Sequence, residues 1–178
     1  MVGTPADGFA LFDTALGTCA LAWNERALTG VQLPEDTVDG LRVRALDLHP
    51  GAVESPPPAH ARSAAEAIAE LVDAGERDLV DIPLDMGDVA AFARDVYETA
   101  RRIPPGSTST YGEIAAEIGR PGSARAVGRA LGANPFAIVV PCHRVLAAGG
   151  RTGGFSAGGG VTTKMWLLAR EQAVLGLW

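Results

Sequence analysis

The hydrophobic pattern of this chain changes along its length, and the change limits the folds that it can adopt. Short apolar segments separated by turn-forming residues occupy positions 9–12, 19–23 and 28–33. This pattern is typical of a meander of β-strands. Residues 41–46 largely alternate between apolar and basic side chains, which predicts a further strand. Residues 50–61 contain four prolines and predict an irregular connector.

The pattern beyond the connector is helical. A capping box at residues 63–66 predicts the start of a helix that Gly75 ends. Residues 88–102 predict a second helix, and two prolines stop it. We therefore predict an α+β protein with a strand-rich N-terminal domain over residues 1–83 and a helical C-terminal domain over residues 84–178.

A pair of short helices is predicted within the C-terminal domain. A capping box at residues 110–113 begins the first helix, a turn follows at residues 119–122, and the second helix runs from Ser123 to about Gly132. This arrangement resembles a helix-turn-helix. The second helix carries small and basic side chains, namely Ala124, Arg125, Ala126, Gly128, Arg129 and Ala130. Small side chains allow a close backbone approach, which suits the minor groove of DNA, but two helices packed in a core would give the same pattern.

Charge is distributed unevenly along the chain. Residues 1–104 carry 8 basic and 18 acidic side chains, whereas residues 105–178 carry 7 basic and 3 acidic ones. The second part is therefore net positive, although the whole chain has a net charge of −6. We expect the positive part to meet a polyanion such as DNA and the acidic part to face away from it.

Composition argues against membrane proteins and metal sites. No apolar run approaches the roughly 20 residues that span a bilayer, and the N-terminus lacks the basic and apolar regions of a signal peptide. We therefore expect a cytoplasmic protein with no membrane partner, in which Cys19 and Cys142 are free thiols. The two cysteines and three histidines show no spacing typical of metal ligands, so no metal is expected.

An apolar run leads into a group of reactive side chains at residues 138–145. Pro141 disfavours helical geometry at Val140, so we expect Cys142 at the rim of an extended, packed segment. Cysteine is a strong nucleophile as its thiolate, and a cationic neighbourhood favours that form. His143 follows directly and supplies a base.

The last predicted helix adds a third group to this set. We expect Thr162 or Thr163 to cap it. Regular spacing places four of its residues on one face, namely Lys164, Leu167, Leu168 and Glu171. A carboxylate on such a face needs a partner, and His143 is the natural candidate. Cys142, His143 and Glu171 would then supply a nucleophile, a base and a group that orients the base.

Three short motifs carry a resemblance to a known family. They are Pro-Cys-His-Arg-Val at residues 141–145, Asn134-Pro135, and Ser-Ala-Arg-Ala-Val-Gly at residues 123–128. With them, the chain resembles the O6-alkylguanine-DNA alkyltransferases, also called methylated-DNA–protein-cysteine methyltransferases. The resemblance implies a ribonuclease H-like N-terminal domain and a helix-turn-helix that binds duplex DNA in the minor groove as a monomer.

The same resemblance implies a reaction. An alkyl group of O6-alkylguanine, and of O4-alkylthymine, would pass irreversibly to Cys142 in a single turnover that inactivates the protein and needs no cofactor. The alkylated base must leave the duplex to be reached. His143 is implied as the base that acts through a water, with Glu171 orienting it. Asn134 is implied as the brace of the turn before the active-site segment, and Tyr111 as the group beside the target base that donates its hydroxyl as O6 leaves.

The resemblance also implies the DNA contacts and the pocket. Arg125 would enter the base stack where the flipped nucleotide leaves. The expected DNA contacts beside it are Ser123, Ala124, Ala126, Arg129 and Tyr111. The expected pocket residues are Val145, Phe155, Ser156 and Lys164. The chain departs from the family at Phe155, where Tyr is usual, and in a loop to Lys164 that is about two residues longer.

Two other functions fit the residues alone. A helix-turn-helix protein could bind DNA with Cys142 in a structural role, and a cysteine hydrolase could use Cys142, His143 and Glu171 with repeated turnover. Incubation with a duplex that contains O6-methylguanine separates the three, because only repair leaves one methyl group on Cys142.

Overall fold

Strands dominate the start of the chain and helices the remainder, which gives a mixed α+β structure. The computed structural model describes residues 6–155 and 159–173. Its strands are β1 Gly8–Thr14, β2 Gly17–Trp23, β3 Leu28–Gln32, β4 Val53–Glu54, β5 Ser109–Thr110 and β6 Val145–Leu146. Its helices are α1 Val38–Leu48, α2 Ala59–Ala74, α3 Ala91–Arg101, α4 Tyr111–Glu117, α5 Ala124–Gly132 and α6 Gly160–Arg170.

The predicted meander is confirmed as the larger sheet. β1, β2 and β3 pair antiparallel, and β4 joins the free edge of β1 in parallel, which gives the order β3-β2-β1-β4. β5 and β6 form a separate parallel pair beside the active-site segment.

Successive side chains of β2 point to opposite faces of the sheet, and both faces are covered by helices. Ala20 and Ala22 pack towards Leu41 and Ala45 of α1 in a small core cluster. Cys19, Leu21 and Trp23 point the other way, into a large cluster that includes α2. Cys19 is fully buried there, and burial raises its pKa to about 12, so this thiol is a packing residue.

Residues 41–46 were predicted as a strand, and this prediction is wrong. They lie in α1, whose start is fixed by Thr37, because the Thr37 side chain accepts a hydrogen bond from Gly40 N at 3.0 Å. The spacing of Leu41 and Ala45 then buries both on one helix face.

Three predicted helix starts are also wrong. The helix predicted from residue 88 begins later, as α3, at Ala91. α2 begins at Ala59 rather than at the capping box of residues 63–66, and Pro58 occupies its N-cap. Part of the predicted connector is therefore helical. α6 begins at Gly160, after Gly159 in the left-handed region, and not behind a cap by Thr162 or Thr163. α2 and α6 begin earlier than predicted. Their N-cap residues, Pro58 and Gly159, make no side-chain cap hydrogen bond, so the side-chain pattern used for the prediction does not mark these starts.

The paired helices of the second half form as predicted. Thr110 Oγ1 accepts from Glu113 N at 3.1 Å, and Glu113 Oε2 accepts from Thr110 N at 2.7 Å, so the capping box of α4 is complete. The turn between α4 and α5 contains Gly119 and Gly122, both with positive φ. α3 packs against α5, and the Tyr97 hydroxyl donates to Ala130 O at 2.8 Å.

The two halves are joined through β3. Val31 N donates to Pro135 O at 2.8 Å, and Ala137 N donates to Val31 O at 3.2 Å. The edge strand of the sheet therefore pairs with the segment that leads to Cys142. Across the part of the chain described above, no helix is both long and apolar enough to cross a membrane.

Candidate active site

Two tight turns present Cys142. Ile138 has φ of 70°, which is unusual for a β-branched residue, and Val139 N donates to Ala137 O at 2.9 Å across it. Pro141, with φ −79° and ψ 66°, forms a second turn in which Cys142 N donates to Val140 O at 2.8 Å. Cys142 then begins a 3-10 turn, Cys142–Arg144. The chain leaves the core at Val140 and reaches the rim with Cys142 half-buried.

Asn134 braces this path through its side-chain amide. Its Nδ2 donates to Val140 O at 2.9 Å, and its Oδ1 accepts from Phe136 N at 2.9 Å. Burial raises the pKa of Cys142, and the same side chain offsets part of this rise through a hydrogen bond. Asn134 therefore connects the end of α5 to the backbone that carries the thiol.

A buried network lies behind the thiol. His143 Nε2 and Glu171 Oε1 are 2.8 Å apart. Arg144 donates to both oxygens of Glu171, from Nη2 and Nε at 2.9 Å each, and from Nη1 to Ile103 O at 2.7 Å. The His143, Arg144 and Glu171 side chains are at most 3% exposed. The structure therefore brings the predicted His143 and Glu171 together and adds Arg144, which sequence reasoning missed.

Burial and hydrogen bonds set the charges of this network. Burial alone would raise the pKa of Glu171, but its hydrogen bonds to His143 and Arg144 outweigh this and lower it to about 2. Burial lowers the pKa of His143 despite the neighbouring carboxylate. His143 is therefore neutral at pH 7. Its other nitrogen, Nδ1, is buried and has no hydrogen-bond partner among the described residues, so this atom is available to accept a proton.

Lys164 is a buried cation beside the thiol. Its Nζ donates to Val145 O at 2.6 Å and contacts Gly154 O at 3.5 Å, and it lies 5.9 Å from the centre of the Tyr111 ring. Burial lowers the pKa of Lys164 to about 8. Its charge stabilises the Cys142 thiolate, but burial outweighs this effect and raises the pKa of Cys142. The resting sulfur is thus a thiol, and it needs a base to become the nucleophilic thiolate.

A cavity of about 470 Å³ opens in front of Cys142. Its lining includes Tyr111, Ala124, Arg125, Cys142 and Phe155. Three segments therefore meet around one reactive atom: the start of α4, one side of α5 and the loop at residues 147–155.

Tyr111 is held between two glycines at the cavity wall. A Cβ at Gly153, where φ is +68°, would lie 2.9 Å from the Tyr111 hydroxyl, and a Cβ at Gly128 would lie 3.9 Å from its ring. Burial raises the pKa of Tyr111, so its hydroxyl keeps its proton at neutral pH. The ring can approach the loop this closely because Gly153 has no side chain, whereas a Cβ at Gly128 would make only an ordinary contact.

The remaining predicted residues differ in exposure. Arg125 and Arg129 are exposed on α5, whereas Ser123, Ala124 and Ala126 are half-buried. Val145 is fully buried and contributes its carbonyl oxygen to Lys164. Ser156 lies outside the described residues. Within residues 6–155 and 159–173, no group of three or more histidine, cysteine or acidic side chains could hold a metal ion.

The chain is similar to known proteins, both over its second half and over most of its length. Residues 91–173 match the family model for the 6-O-methylguanine DNA methyltransferase, DNA binding domain. A methylated-DNA–protein-cysteine methyltransferase of Mycolicibacterium paratuberculosis is 41% identical over 162 residues, which cover 90% of this chain and 89% of the relative. One from Salmonella typhimurium is 52% identical over 84 residues, covering 47% of this chain and 48% of the relative.

Solved structures extend the likeness to the fold. The crystal structure of Mycobacterium tuberculosis OGT in complex with DNA superposes with a TM-score of 0.72 at 36% identity, covering 93% of this chain and 92% of that one. The O6-methylguanine-DNA methyltransferase of Pyrococcus kodakaraensis gives a TM-score of 0.73 at 27% identity, covering 92% and 98%. Because the similarity extends over nearly the whole chain, this protein belongs to the family of methylated-DNA–protein-cysteine methyltransferases.

Proposed function

We propose that this protein repairs alkylated DNA by direct reversal, moving one alkyl group from O6 of guanine, and from O4 of thymine, to the sulfur of Cys142. The observation that carries the proposal is a half-buried cysteine that opens on a cavity while a buried His143–Glu171–Arg144 network lies behind it. Such a set supplies a nucleophile, a base and a fixed orientation for the base.

The reaction is a displacement at carbon. Neutral His143 takes the thiol proton of Cys142 at Nδ1, through a water, and Glu171 holds the ring by its hydrogen bond to Nε2. The sulfur then forms a bond to the alkyl carbon while the bond from that carbon to O6 breaks. The electron pair of the broken bond stays on the guanine, which takes a proton from the Tyr111 hydroxyl. The thioether is stable, so each molecule acts once.

The charged side chains of the site stabilise the charges that this reaction creates. Lys164 favours negative charge on the sulfur before transfer. Arg144 keeps Glu171 ionised, so that the carboxylate can stabilise His143 when it becomes protonated. Phe155 closes the rim without a hydroxyl, and we propose that Val145, Ser156 and Lys164 complete the pocket around the base.

DNA enters from the side of α5. We propose that α4 and α5 act as a helix-turn-helix whose second helix lies in the minor groove. The exposed Arg125 side chain lines the cavity edge and can fill the gap in the base stack. The half-buried Ser123, Ala124 and Ala126 allow close contact with the DNA backbone, and Arg129 adds a phosphate contact.

This function comes with proposals about the domain structure, the oligomeric state and the cellular location of the protein. We propose that the strand-rich residues 1–83 form a ribonuclease H-like domain that supports the reactive residues 84–178. We further propose that the protein acts as a monomer on a flipped base, in the cytosol, without a cofactor. The acidic first half favours an orientation with α5, and not the sheet, towards the phosphates.

One experiment tests the reaction. The protein is incubated with a duplex that contains O6-methylguanine, and its intact mass is measured before and after. We expect a gain of one methyl group, mapped to Cys142 by peptide analysis and lost in Cys142→Ser. Retention of the DNA with no change in mass would indicate a binding protein, and repeated turnover of a thioester or ester would indicate a hydrolase.

A further inference from the structure

The backbone that carries Glu171 is fixed at the end of α6. Glu171 is the C-cap of this helix, and the next residue, Gln172, has φ of 53°. Gln172 N donates to Ala169 O at 3.1 Å, and Ala173 N donates to Leu168 O at 3.0 Å. These two bonds form a Schellman motif, so a displacement of the Glu171 peptide cannot be absorbed by a loose helix end.

Gly75 presses on this peptide from α2. It ends α2 in the left-handed region, with φ of 81°, and Gly75 N donates to Leu71 O at 2.7 Å. A Cβ at Gly75 would collide with the carbonyl oxygen of Arg170 and would lie 2.7 Å from its carbonyl carbon and 3.1 Å from Glu171 Cα. Glycine is therefore required at residue 75 for two separate reasons, its own conformation and the contact with α6.

Gly106 lies against the next peptide, between Glu171 and Gln172, on the C-terminal side of Glu171. Ser107 N donates to Pro104 O at 3.1 Å, and Gly106, with φ of 80°, fits the third position of this turn. A Cβ at Gly106 would lie 3.1 Å from Glu171 O. The turn follows Ile103, whose carbonyl accepts from Arg144. The backbone and the side chain of Glu171 are thus held by neighbouring segments.

We infer that Gly75 and Gly106 are positioning residues for Glu171. Because they lack side chains, α2 can approach the peptide before Glu171 and the turn at residues 104–107 can approach the peptide after it, and together they fix the distance from the carboxylate to His143. The inference rests on the role proposed above for Glu171. It gives the strand-rich half of the protein a part in the reaction, through α2.

The expected effect follows from the size of the overlap. Bringing the Arg170 carbonyl carbon from 2.7 Å to an ordinary contact of 3.4 Å requires a displacement of at least about 0.7 Å, and the carbonyl oxygen, which lies closer still, requires more. A misplacement of about 1 Å can lower a rate roughly 100-fold. We therefore expect Gly75→Ala to slow alkyl transfer by roughly ten- to a hundredfold and Gly106→Ala by a smaller factor.

A matched control separates this contact from backbone strain. Gly51 also lies in the first half and has φ of +90°, but no atom lies within 4 Å of the position of its Cβ. Gly51→Ala therefore introduces the same kind of conformational cost without touching α6. We expect it to leave the rate of alkyl transfer close to that of the wild type.

The test is a cycle of variants measured with free O6-benzylguanine and with duplex DNA. We expect Gly75→Ala to slow the reaction in the wild-type background but to have no further effect in a Glu171→Gln background, with DNA affinity unchanged in both. Equal slowing in both backgrounds, or a rate equal to that of Gly51→Ala, would overturn the inference. If Gly75→Ala does not fold, Gly106→Ala gives the same comparison. A wild-type rate in Glu171→Gln alone would instead overturn the proposed role of Glu171, and the inference with it.

Discussion

Replacing Glu171 by Gln keeps the shape of the side chain but removes its charge, and we expect this change to cost stability as well as repair rate. The carboxylate accepts one bond from His143 at 2.8 Å and two from Arg144 at 2.9 Å. An amide presents an N–H group where one of these oxygens stood, so it cannot replace all three bonds. Arg144 would remain as a buried cation without a matching charge, which costs about 3–5 kcal/mol.

Denaturant unfolding measures this loss directly. For a chain of this length, the expected loss corresponds to a melting temperature lower by roughly 10 °C. The double variant Glu171→Gln/Arg144→Met removes both charges and should regain most of the stability, because no uncompensated charge is left in the interior. Its repair rate should stay low, because His143 has still lost its orienting carboxylate.

Two results would refute this reasoning. One is a loss below about 1 kcal/mol in the single variant, since this is the range of exposed ion pairs. The other is a double variant that is no more stable than Glu171→Gln. Circular dichroism of each variant at low temperature shows that the rates compare folded proteins.

Three further predictions concern DNA, pH and helix packing. Arg125→Ala should slow repair in duplex DNA roughly tenfold more than it slows reaction with free O6-benzylguanine, which corresponds to about 1.4 kcal/mol of lost duplex-specific stabilisation. Equal losses on the two substrates would contradict insertion into the stack. Arg129→Ala, at the other exposed arginine of α5, is the matched control. The pKa of Glu171 is about 2 in the fold against 4.5 ordinarily, so its stabilisation is present above pH 4.5 and is lost as pH falls towards 2. Unfolding measured across this range should show the loss, and Glu171→Gln should flatten it. Tyr97→Phe removes the bond to Ala130 O at 2.8 Å and should lower the free energy of unfolding by about 1 kcal/mol; an unchanged value would show that the bond contributes nothing.

Sequence predicts those elements in which spacing and caps agree. The capping box of Thr110 and Glu113 marks the start of α4 correctly because both of its hydrogen bonds form, whereas the similar pattern at residues 63–66 lies inside α2. Residues 41–46 mislead because six residues satisfy the period of a strand and also the spacing of Leu41 and Ala45 on a helix. The information that decides between them, the Thr37 cap and the face of β2, lies outside the segment.

In the candidate site, too, some features can be predicted from the local sequence and others cannot. The pairing of His143 with Glu171 is predictable because a carboxylate on an apolar helix face needs a partner. Arg144 was not assigned, because adjacency in sequence does not show which of two neighbouring side chains points inward. The 3-10 turn at Cys142–Arg144 buries both His143 and Arg144. The clash that excludes a side chain at Gly75 requires three-dimensional proximity to α6, which no local pattern contains.

The backbone pairing of Val31 with Pro135 and Ala137 limits how far this protein can be shortened. A fragment cut to residues 91–173 would keep the thiol, the imidazole and the carboxylate. It would lose β3, against which Phe136 packs with only 1% of its surface exposed. The Pro135 carbonyl and the Ala137 N–H would lose their partners on β3 and become exposed to water. We expect Cys142 then to lose its fixed position relative to His143. A miniature repair protein made from this chain must therefore carry β3 with it.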